Sequence, residues 1–391
     1  MKPAIILSSH NTGLSVIRSL SAVNVPIVVV CYSKRDMGYV SKYVKEVIWT
    51  PHPENKEGEF IELLMGNGER YKGSMLIPCD DETLVAVSKH KELLGKYFIV
   101  ACTEWSVTER LIDKQYTYEL AETIGVPCPR TIMPSIPGDL EQRCAGLHYP
   151  CLVKPCQSHK YLAQFNIKMR KVEDYDHLRQ MHQEASDVGL EVVIQEYIPG
   201  DDSHSVNYNS YFWDREPLVE FTAVKVRQSP PSFGVPRVVM SKDISEIIEP
   251  GRAFLKGLGY YGYSCTEFKK DPRDGIYKLM EVNGRYNRSG ILSTRCGINF
   301  PALEYQHLLH GVAPKRSNFI KGIYWIDSTK DIFTSIKYFF REGFSLVDYI
   351  KPYCKPNIYA VLDEKDIRPF LKRCFDIFCM GLKWIFTKPL H

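Results

Sequence analysis

The sequence predicts a chain of mixed α/β and α+β class, with a parallel α/β domain first and α+β units after it. Three observations carry that reading. Strand and helix signals alternate through the first 110 residues, the pattern of a parallel sheet with helices on its faces. Residues 205–240 are crowded with aromatic and β-branched side chains, as antiparallel strands are. Beyond residue 314 the composition changes, becoming aromatic-rich and basic. A length of 391 residues agrees with two or three domains, since one domain takes roughly 150.

The elements follow in order. Residues 4–8 form a short apolar run, and Gly13 opens a helical stretch through Leu20. Residues 25–32 are the next strand, followed by strands at 47–50, 74–78 and 98–101, with helical segments at 60–65 and 82–94 between them. Pro127, Pro129, Pro134 and Pro137 punctuate a turn-rich passage. Strands are expected at 151–154 and 166–170, a polar helix at 172–188 and a strand at 192–197. A helix at 245–257 follows the antiparallel region. Residues 332–340 and 367–386 are the aromatic, basic stretches of the tail.

Composition narrows the function classes. Hydrophobic residues make up 44% and charged residues 25%, ordinary globular values. A net charge of +4 is too small to imply nucleic acid. No apolar run reaches the roughly 18 residues that span a bilayer, and the N-terminus reads as a strand, not a signal peptide. Twelve scattered cysteines form no CxxC pair. The simplest expectation is a cytoplasmic chain with reduced thiols.

The segment YSCTEFKKDPRDGIYKLMEVNGR, residues 263–285, holds the strongest local signal. Two strand-like runs flank Asp271-Pro272-Arg273-Asp274-Gly275, a turn sequence. Pairing about Asp274 places Glu267 opposite Glu281 on one face, and Asn283 shares that face by the period of two. Side-by-side carboxylates repel, and Mg²⁺, which takes oxygen ligands and uses one or two carboxylates with substrate phosphates, removes the cost. A solvated hairpin face bearing charges by chance is the competing reading.

Other signals are weaker alone. Lys114 sits at a helix start and Lys154 at the end of an apolar strand, where each could meet a phosphate or lie as an ordinary surface lysine. VVIQEYIPGDD is a strand leaving its sheet through Pro199-Gly200, with Asp201 and Asp202 beyond. It suits an adenine edge and a ribose hydroxyl, or an ordinary turn. In KVRQSPPSFG, Lys225 and Arg227 precede a double proline, an anion site or an exposed loop. The N-terminal SSHNTGLSV has Gly13 but no GxGxxG, so a dinucleotide site is not supported.

The order of these segments is the telling feature: Asp113-Lys114 with GVPCP, then YPCLVKP, IQEYIPGDD and TEFKKDPRDG-YKLMEVNGR. It resembles the ATP-grasp superfamily, which includes D-alanine–D-alanine ligase, biotin carboxylase and carbamoyl-phosphate synthetase. Within it, SHNTGLSVIRSL, LIPCDDETL and VKVRQSPPSFGV look like carbamoyl-phosphate-synthase-like proteins related to D-aspartate ligases. The resemblance covers residues 1–313. It implies an N-terminal parallel α/β pre-ATP-grasp domain (1–110), followed by an ATP-grasp fold of two α+β subdomains, a small lid with the hinge strand (111–197) and a large one with the metal site (198–313). Residues 314–391 are then a C-terminal helical extension.

By resemblance, the chain is an ATP-dependent ligase that activates a carboxylate as an acyl phosphate and joins it to an amine. A carbamoyl-phosphate-synthase-like phosphotransferase and a non-catalytic ATP-binding module are the alternatives. Lys114 and Lys154 would hold ATP phosphates. Gln195, Glu196, Tyr197 and Ile198 would form the adenine hinge, the last two partly through backbone, and Asp202, failing that Asp201, would bind ribose. Glu267, Glu281 and Asn283 would hold Mg²⁺, or Mn²⁺ in its place. Arg285, Lys225 and Arg227 are the catalytic or anion-binding candidates. The chain departs from the family pattern in two places. The segment after Lys154, PCQSHKYLAQFN, has no glycine, leaving His159 or Lys160 to add charge, and Gly284 follows the metal-binding Asn where relatives carry Pro.

Expected partners are small-molecule carboxylate and amine substrates, such as an amino acid, a peptide or a uronic acid of a cell-surface polysaccharide. Tyr286, Asn287, Arg288 and Ser289 follow the metal residues and are placed to face a substrate carboxylate, with Arg288 and Arg295 the cations of first interest. Residues 367–388 carry apolar side chains at near-helical spacing with lysines among them. They suit packing on the body or on a second subunit of a homodimer, or a peripheral membrane contact.

Overall fold

The computed structural model describes residues 1–133, 140–155, 161, 164–167, 169–232, 234–332 and 345–387, with side chains to 380 in the last helix. Three sheets organise the chain. The first consists of β1 (Ala4–Leu7), β2 (Ile27–Cys31), β3 (Val44–Trp49), β4 (Met75–Pro78) and β5 (Ile99–Val100), all parallel, in the order β3-β2-β1-β4-β5. The runs AIIL, IVVVC and MLIP are buried along their whole length, as strands covered on both faces must be. Helix α1 (Asn11–Ser21) follows β1. Gly13 is obligatory at that turn, because a Cβ there would lie 2.2 Å from the Ser8 carbonyl oxygen. The chain order reverses between β1 and β4, the crevice where open α/β sheets collect ligands.

Helix α2 (Glu57–Gly66) matches its expectation. The expected 82–94 helix is two, α3 (Asp81–Lys89) and α4 (Lys91–Leu94), because the chain breaks at His90. Asp80 caps α3 in a reciprocal box with Thr83. Helices α5 (Trp105–Ile112) and α6 (Lys114–Thr123) meet at Asp113, whose side chain caps α6.

The second sheet comprises β6 (Thr131–Ile132), β7 (Cys151–Pro155), β8 (Arg170–Val172) and β9 (Val192–Glu196), in the order β6-β9-β7-β8. The strand expected at 166–170 overlaps β8 only at Arg170, since Asn166 turns the backbone at φ +54°. The polar helix, Tyr175–Asp187, starts after Asp174, which caps it.

The third sheet is large: β10 (Ser205–Trp213), β11 (Glu216–Ser229), β12 (Val235–Ser241), β13 (Gly262–Lys270), β14 (Tyr277–Asn283), β15 (Tyr324–Ile326) and β16 (Asn357–Tyr359), in the order β14-β13-β10-β11-β12-β15-β16. The β13–β14 hairpin has the expected register, Glu267 opposite Glu281 and Cys265 opposite Asn283, with a bulge beyond Glu267. The tail does not form a purely helical extension. β15 pairs with β12 and β16 with β15, so residues beyond 313 complete the large sheet. Their interior-facing Trp325 and Ile326 are fully buried, and that burial draws the chain back across the sheet edge. The last helix, Arg368–Thr387, packs Phe370 and Arg373 inward while leaving Leu371, Phe375 and Phe378 exposed. Of the aromatic stretch 332–340, only Ile332 lies within the described residues.

Candidate active site

One cavity of about 220 Å³ gathers most of the expected residues: Lys114, Lys154, Tyr197, Ile198, Lys225, Glu267 and Glu281. Lys114 enters from the first turn of α6, Lys154 from β7, Lys225 from β11 and the two glutamates from β13 and β14. Asn283, two residues from Glu281, lines the adjoining recess with Lys114 and Asp81. A roomier groove of about 590 Å³ beside Gln115, Glu119 and His182 contains no lysine.

Electrostatics explain the pairing inside the cavity. Burial raises the Glu281 carboxyl, Glu267 raises it further, and Lys114 partly offsets both. Glu281 reaches open space through the cavity mouth yet is walled by protein elsewhere. Lys225 is ion-paired with Glu267. Burial opposes its charge, but that pair holds its ammonium above the usual lysine range. Lys154 is different: burial, with Lys114 and Lys269 nearby, lowers it to about 7 against the opposing pull of Glu281. A half-buried lysine held below its usual range regains its charge when an anion binds beside it.

The donor set fits a hard divalent cation. Glu267 and Glu281 oppose each other, Asn283 is adjacent, and Asn207, cross-strand from Glu267, has a buried Oδ1 with no hydrogen-bond partner. Among the described residues no group of three or more His, Cys, Asp or Glu side chains is placed to hold a metal. Two carboxylates and amide oxygens therefore leave coordination positions for phosphate oxygens, the usual arrangement for Mg²⁺.

Several expected residues stand elsewhere than their expected roles require. Gln195 and Glu196 face opposite sides of β9. Gln195 is fully buried, hydrogen-bonded to the Lys154 ammonium and donating to Thr131 Oγ1 at 2.8 Å, so it positions Lys154. Glu196 points away and accepts from the His148 backbone N–H at 3.1 Å. The Tyr197 N–H is already given to the Pro150 carbonyl at 3.1 Å, so it is not the donor that an adenine edge would require. Asp202 is 4% exposed and accepts from the N–H groups of Gln228 and Ser232, each at 2.7 Å. It clamps the turn after β11, because a buried carboxylate must be satisfied. Asp201, the fallback for ribose, accepts from Ser203 and His204.

Arg227 is drawn away altogether. It makes a two-point bond to Asp331 at 2.8 and 3.0 Å, with both side chains buried, and lies over the Tyr349 ring. Alternation along β11 does not reveal this, because the strand is irregular between Lys225 and Arg227. Arg285 is held by Asp81 at 2.7 and 2.9 Å. Burial works against its charge, but Asp81 keeps the guanidinium strongly charged. Arg295 pairs with Asp363 at 2.9 Å, away from the cavity. Tyr286 stacks on Tyr263 and donates to buried Glu304 at 2.6 Å, and Ser289 is buried. Asn287 donates to Asn209 Oδ1 at 2.7 Å, tying its loop to the glutamate-bearing face of the sheet. His159 and Lys160 lie outside the described residues.

Sequence reasoning missed Lys269, Leu152, Met280 and Tyr118, all on the cavity wall. Lys269 was within reach, being two residues beyond Glu267 on the same strand. Its ammonium lies 5.1 Å from the centre of the Tyr197 ring.

No family model matches the chain. A D-aspartate ligase of Enterococcus faecium (strain Aus0004) is 33% identical over 264 residues, covering 63% of this chain and 62% of that protein. The chain thus matches less than two thirds of the relative's length. Among solved structures, an L-amino acid ligase from Bacillus licheniformis superposes with a TM-score of 0.62 at 18% identity, covering 79% of this chain and 74% of the other. An N5-carboxyaminoimidazole synthetase from Staphylococcus aureus gives 0.66 at 14% identity, covering 88% of each. The chain shares the fold of these ligases and synthetases, a parallel α/β sheet followed by antiparallel and mixed sheets.

Proposed function

We propose that the chain is an ATP-dependent carboxylate–amine ligase that forms an acyl phosphate and joins it to an amine, releasing ADP and phosphate. The observation that carries this is the convergence of Lys114, Lys154 and Lys225 with the opposed Glu267 and Glu281 in one cavity. Phosphoryl transfer needs placed charge more than covalent help. In this reading Lys114 and Lys154 hold phosphate oxygens, and Gln195 fixes where Lys154 points. Ile198 and the Tyr197 carbonyl border the adenine. Glu267, Glu281 and Asn283 hold Mg²⁺, which when bound neutralises charge between the phosphates. Arg285 exchanges Asp81 for the substrate's developing charge. Lys225, ion-paired with Glu267, stays beside the reacting end.

The likeness to a D-aspartate ligase and an L-amino acid ligase supports an amino acid as one substrate. Of the domain boundaries, 197 falls between the last strand of the second sheet and the first of the third, whereas 110 falls within α5, after the first sheet ends at Val100. Among the described residues, no helix is long and apolar enough to cross a membrane. A cytoplasmic enzyme touching an anionic bilayer through the last helix rests on exposed Leu371, Phe375 and Phe378 beside exposed Lys365 and Arg368. A homodimer through the same stripe is distinguished by molecular mass in solution.

The test is product analysis after screening pools of amino acids and carboxylated sugars. ADP and phosphate should appear only when a carboxylate and an amine are both present, with a new amide seen by mass spectrometry. AMP and pyrophosphate would mean adenylation and end this reading.

A further inference from the structure

A carboxyl outside the proposed chemistry is buried among uncharged groups. Glu304, on the helix Phe300–His310, is 2% exposed. Tyr286, in the segment after β14, donates its hydroxyl to Glu304 Oε2 at 2.6 Å. The other titratable groups beside it are Tyr263 of β13, Tyr260 just before that strand, Tyr211 of β10, Cys79 after β4 and Cys102 after β5. Burial pushes each of these hydroxyls and thiols above its usual range, so all stay uncharged near neutrality. His307, one turn along the same helix, meets the Tyr211 hydroxyl instead, at 2.9 Å. Among the described residues no cation is paired with Glu304. Burial raises its carboxyl to about 7, against the pull of the Tyr286 hydroxyl and the Tyr263 backbone. A carboxyl in such surroundings is stable only when hydrogen-bonded or neutral.

The bond to Tyr286 anchors a longer chain of contacts. The Tyr286 ring stacks on Tyr263 with centroids 4.2 Å apart. The Tyr263 hydroxyl donates to Asn209 Oδ1 at 2.8 Å, and Asn287 Nδ2 donates to the same oxygen at 2.7 Å. Asn287 Nδ2 also lies 3.1 Å from Cys265 Sγ, and Cys265 stands opposite Asn283 across the hairpin. Tyr286 and Asn287 are thus held from Glu304 at one end and from the sheet at the other. Arg285 and Arg288 stand on either side of this pair in sequence and reach Asp81 of α3 and Asp327 beyond β15. A displacement of Tyr286 shifts both guanidiniums through the shared backbone.

We propose that Glu304 is a positioning residue that, through Tyr286, sets the segment 285–288 and so the angle at which Arg285 and Arg288 meet the substrate's carboxylate. Glu304 lies behind the tyrosine and takes no part in the transfer. The inference rests on the ligase reading only for what the segment serves. Lifting Tyr286 from its place admits water to Glu304 and returns the carboxyl to its ordinary range, so opening the segment releases a proton. The closed segment is therefore fully held below the ordinary glutamate value and loses its hold as pH rises toward the folded value.

The experiment is hydrogen exchange of the full chain, followed by mass spectrometry on the peptide spanning residues 284–289 at pH 5, 6 and 7. Each rate is divided by the intrinsic rate at that pH. Protection in the wild type should fall by about tenfold or more from pH 5 to pH 7, one proton being released per opening. Glu304→Gln, neutral at every pH and of the same shape, should keep a flat profile. Tyr286→Phe should lower protection of the peptide about fivefold at pH 5, as loss of one neutral hydrogen bond does. If Glu304→Gln does not fold, the wild-type profile and Tyr286→Phe decide the matter. A flat wild-type profile, an equal slope in Glu304→Gln, or unchanged protection in Tyr286→Phe would overturn the proposal. No substrate enters this measurement, so its failure leaves the ligase reading standing, and failure of the product analysis leaves the Glu304–Tyr286 latch standing.

Discussion

Glu267 and Glu281 face each other directly across the β13–β14 pair, and Lys225 is ion-paired with Glu267. Among the described residues Glu281 receives no ion pair, and burial beside Glu267 raises its carboxyl. A group whose folded pKa is raised contributes stability below its unfolded pKa and loses it as pH rises through the folded value. Deprotonating Glu281 beside Glu267 is therefore unfavourable in the fold, and a divalent cation held by the pair would offset that cost.

Glu281→Gln should lower turnover by about a hundredfold or more, as loss of a group stabilising transferred charge does, while the fold persists. A second readout needs no turnover. Added Mg²⁺ should raise the melting temperature of the wild type at pH 7.5, less so as pH falls and Glu281 protonates. The variant should lose that increment. Turnover within about twofold of wild type, or an unchanged Mg²⁺ increment, removes the metal assignment.

Lys154 offers a proton count. Burial, with Lys114 and Lys269, lowers its folded value to about 7, so the unfolded chain binds more protons between there and the ordinary lysine value. Stability from this group thus rises with pH across that window. Bound phosphate favours the ammonium, so ATP binding at pH 8 should take up a fraction of a proton. Calorimetry in buffers of different ionisation enthalpy measures it. Lys154→Met should abolish the uptake and weaken ATP. Uptake that survives the substitution places the phosphates elsewhere.

The hairpin register was legible because a turn sequence and a period of two fix it without any distant information, and Glu267, Glu281 and Asn283 stand as that arithmetic requires. The buried strands of the first sheet were legible for a different reason, as short continuous apolar runs of the kind that parallel strands covered on both faces show. What the sequence withheld was pairing between remote segments. Arg227 finds Asp331 and Arg285 finds Asp81, 104 and 204 residues away. Gln195 looks like a hinge residue until Lys154 is seen beside it. The strands β15 and β16 are three residues each, too short for any periodicity to show.

Arg227 and Asp331 should behave as structure, not chemistry. Both are buried, and Asp331 also accepts from Tyr353 at 2.7 Å. Removing the guanidinium leaves a buried carboxylate short of its main partner, a loss of about 3–5 kcal/mol. Arg227→Met should therefore lower the urea midpoint sharply, while the folded fraction keeps its ATP affinity. A variant as stable as wild type but unable to bind ATP would restore Arg227 to the site.

The last helix separates two roles along its length. Arg373 faces inward to Asp327, whereas Leu371, Phe375 and Phe378, at spacings of four and three, share an exposed face and are 57%, 63% and 64% exposed. Such a stripe beside Lys365 and Arg368 suits shallow insertion into an anionic bilayer, where apolar area and lysine attraction add. Because these three side chains are exposed, replacing them leaves the interior intact. The triple variant Leu371→Glu, Phe375→Glu, Phe378→Glu should fold with an unchanged melting temperature. The wild type should sediment with vesicles containing phosphatidylserine, less at high salt as screening grows, and the variant should stay in the supernatant. Equal recovery of both in the supernatant at low salt excludes membrane contact through this helix, and a halved molecular mass of the variant on light scattering assigns the stripe to a homodimer.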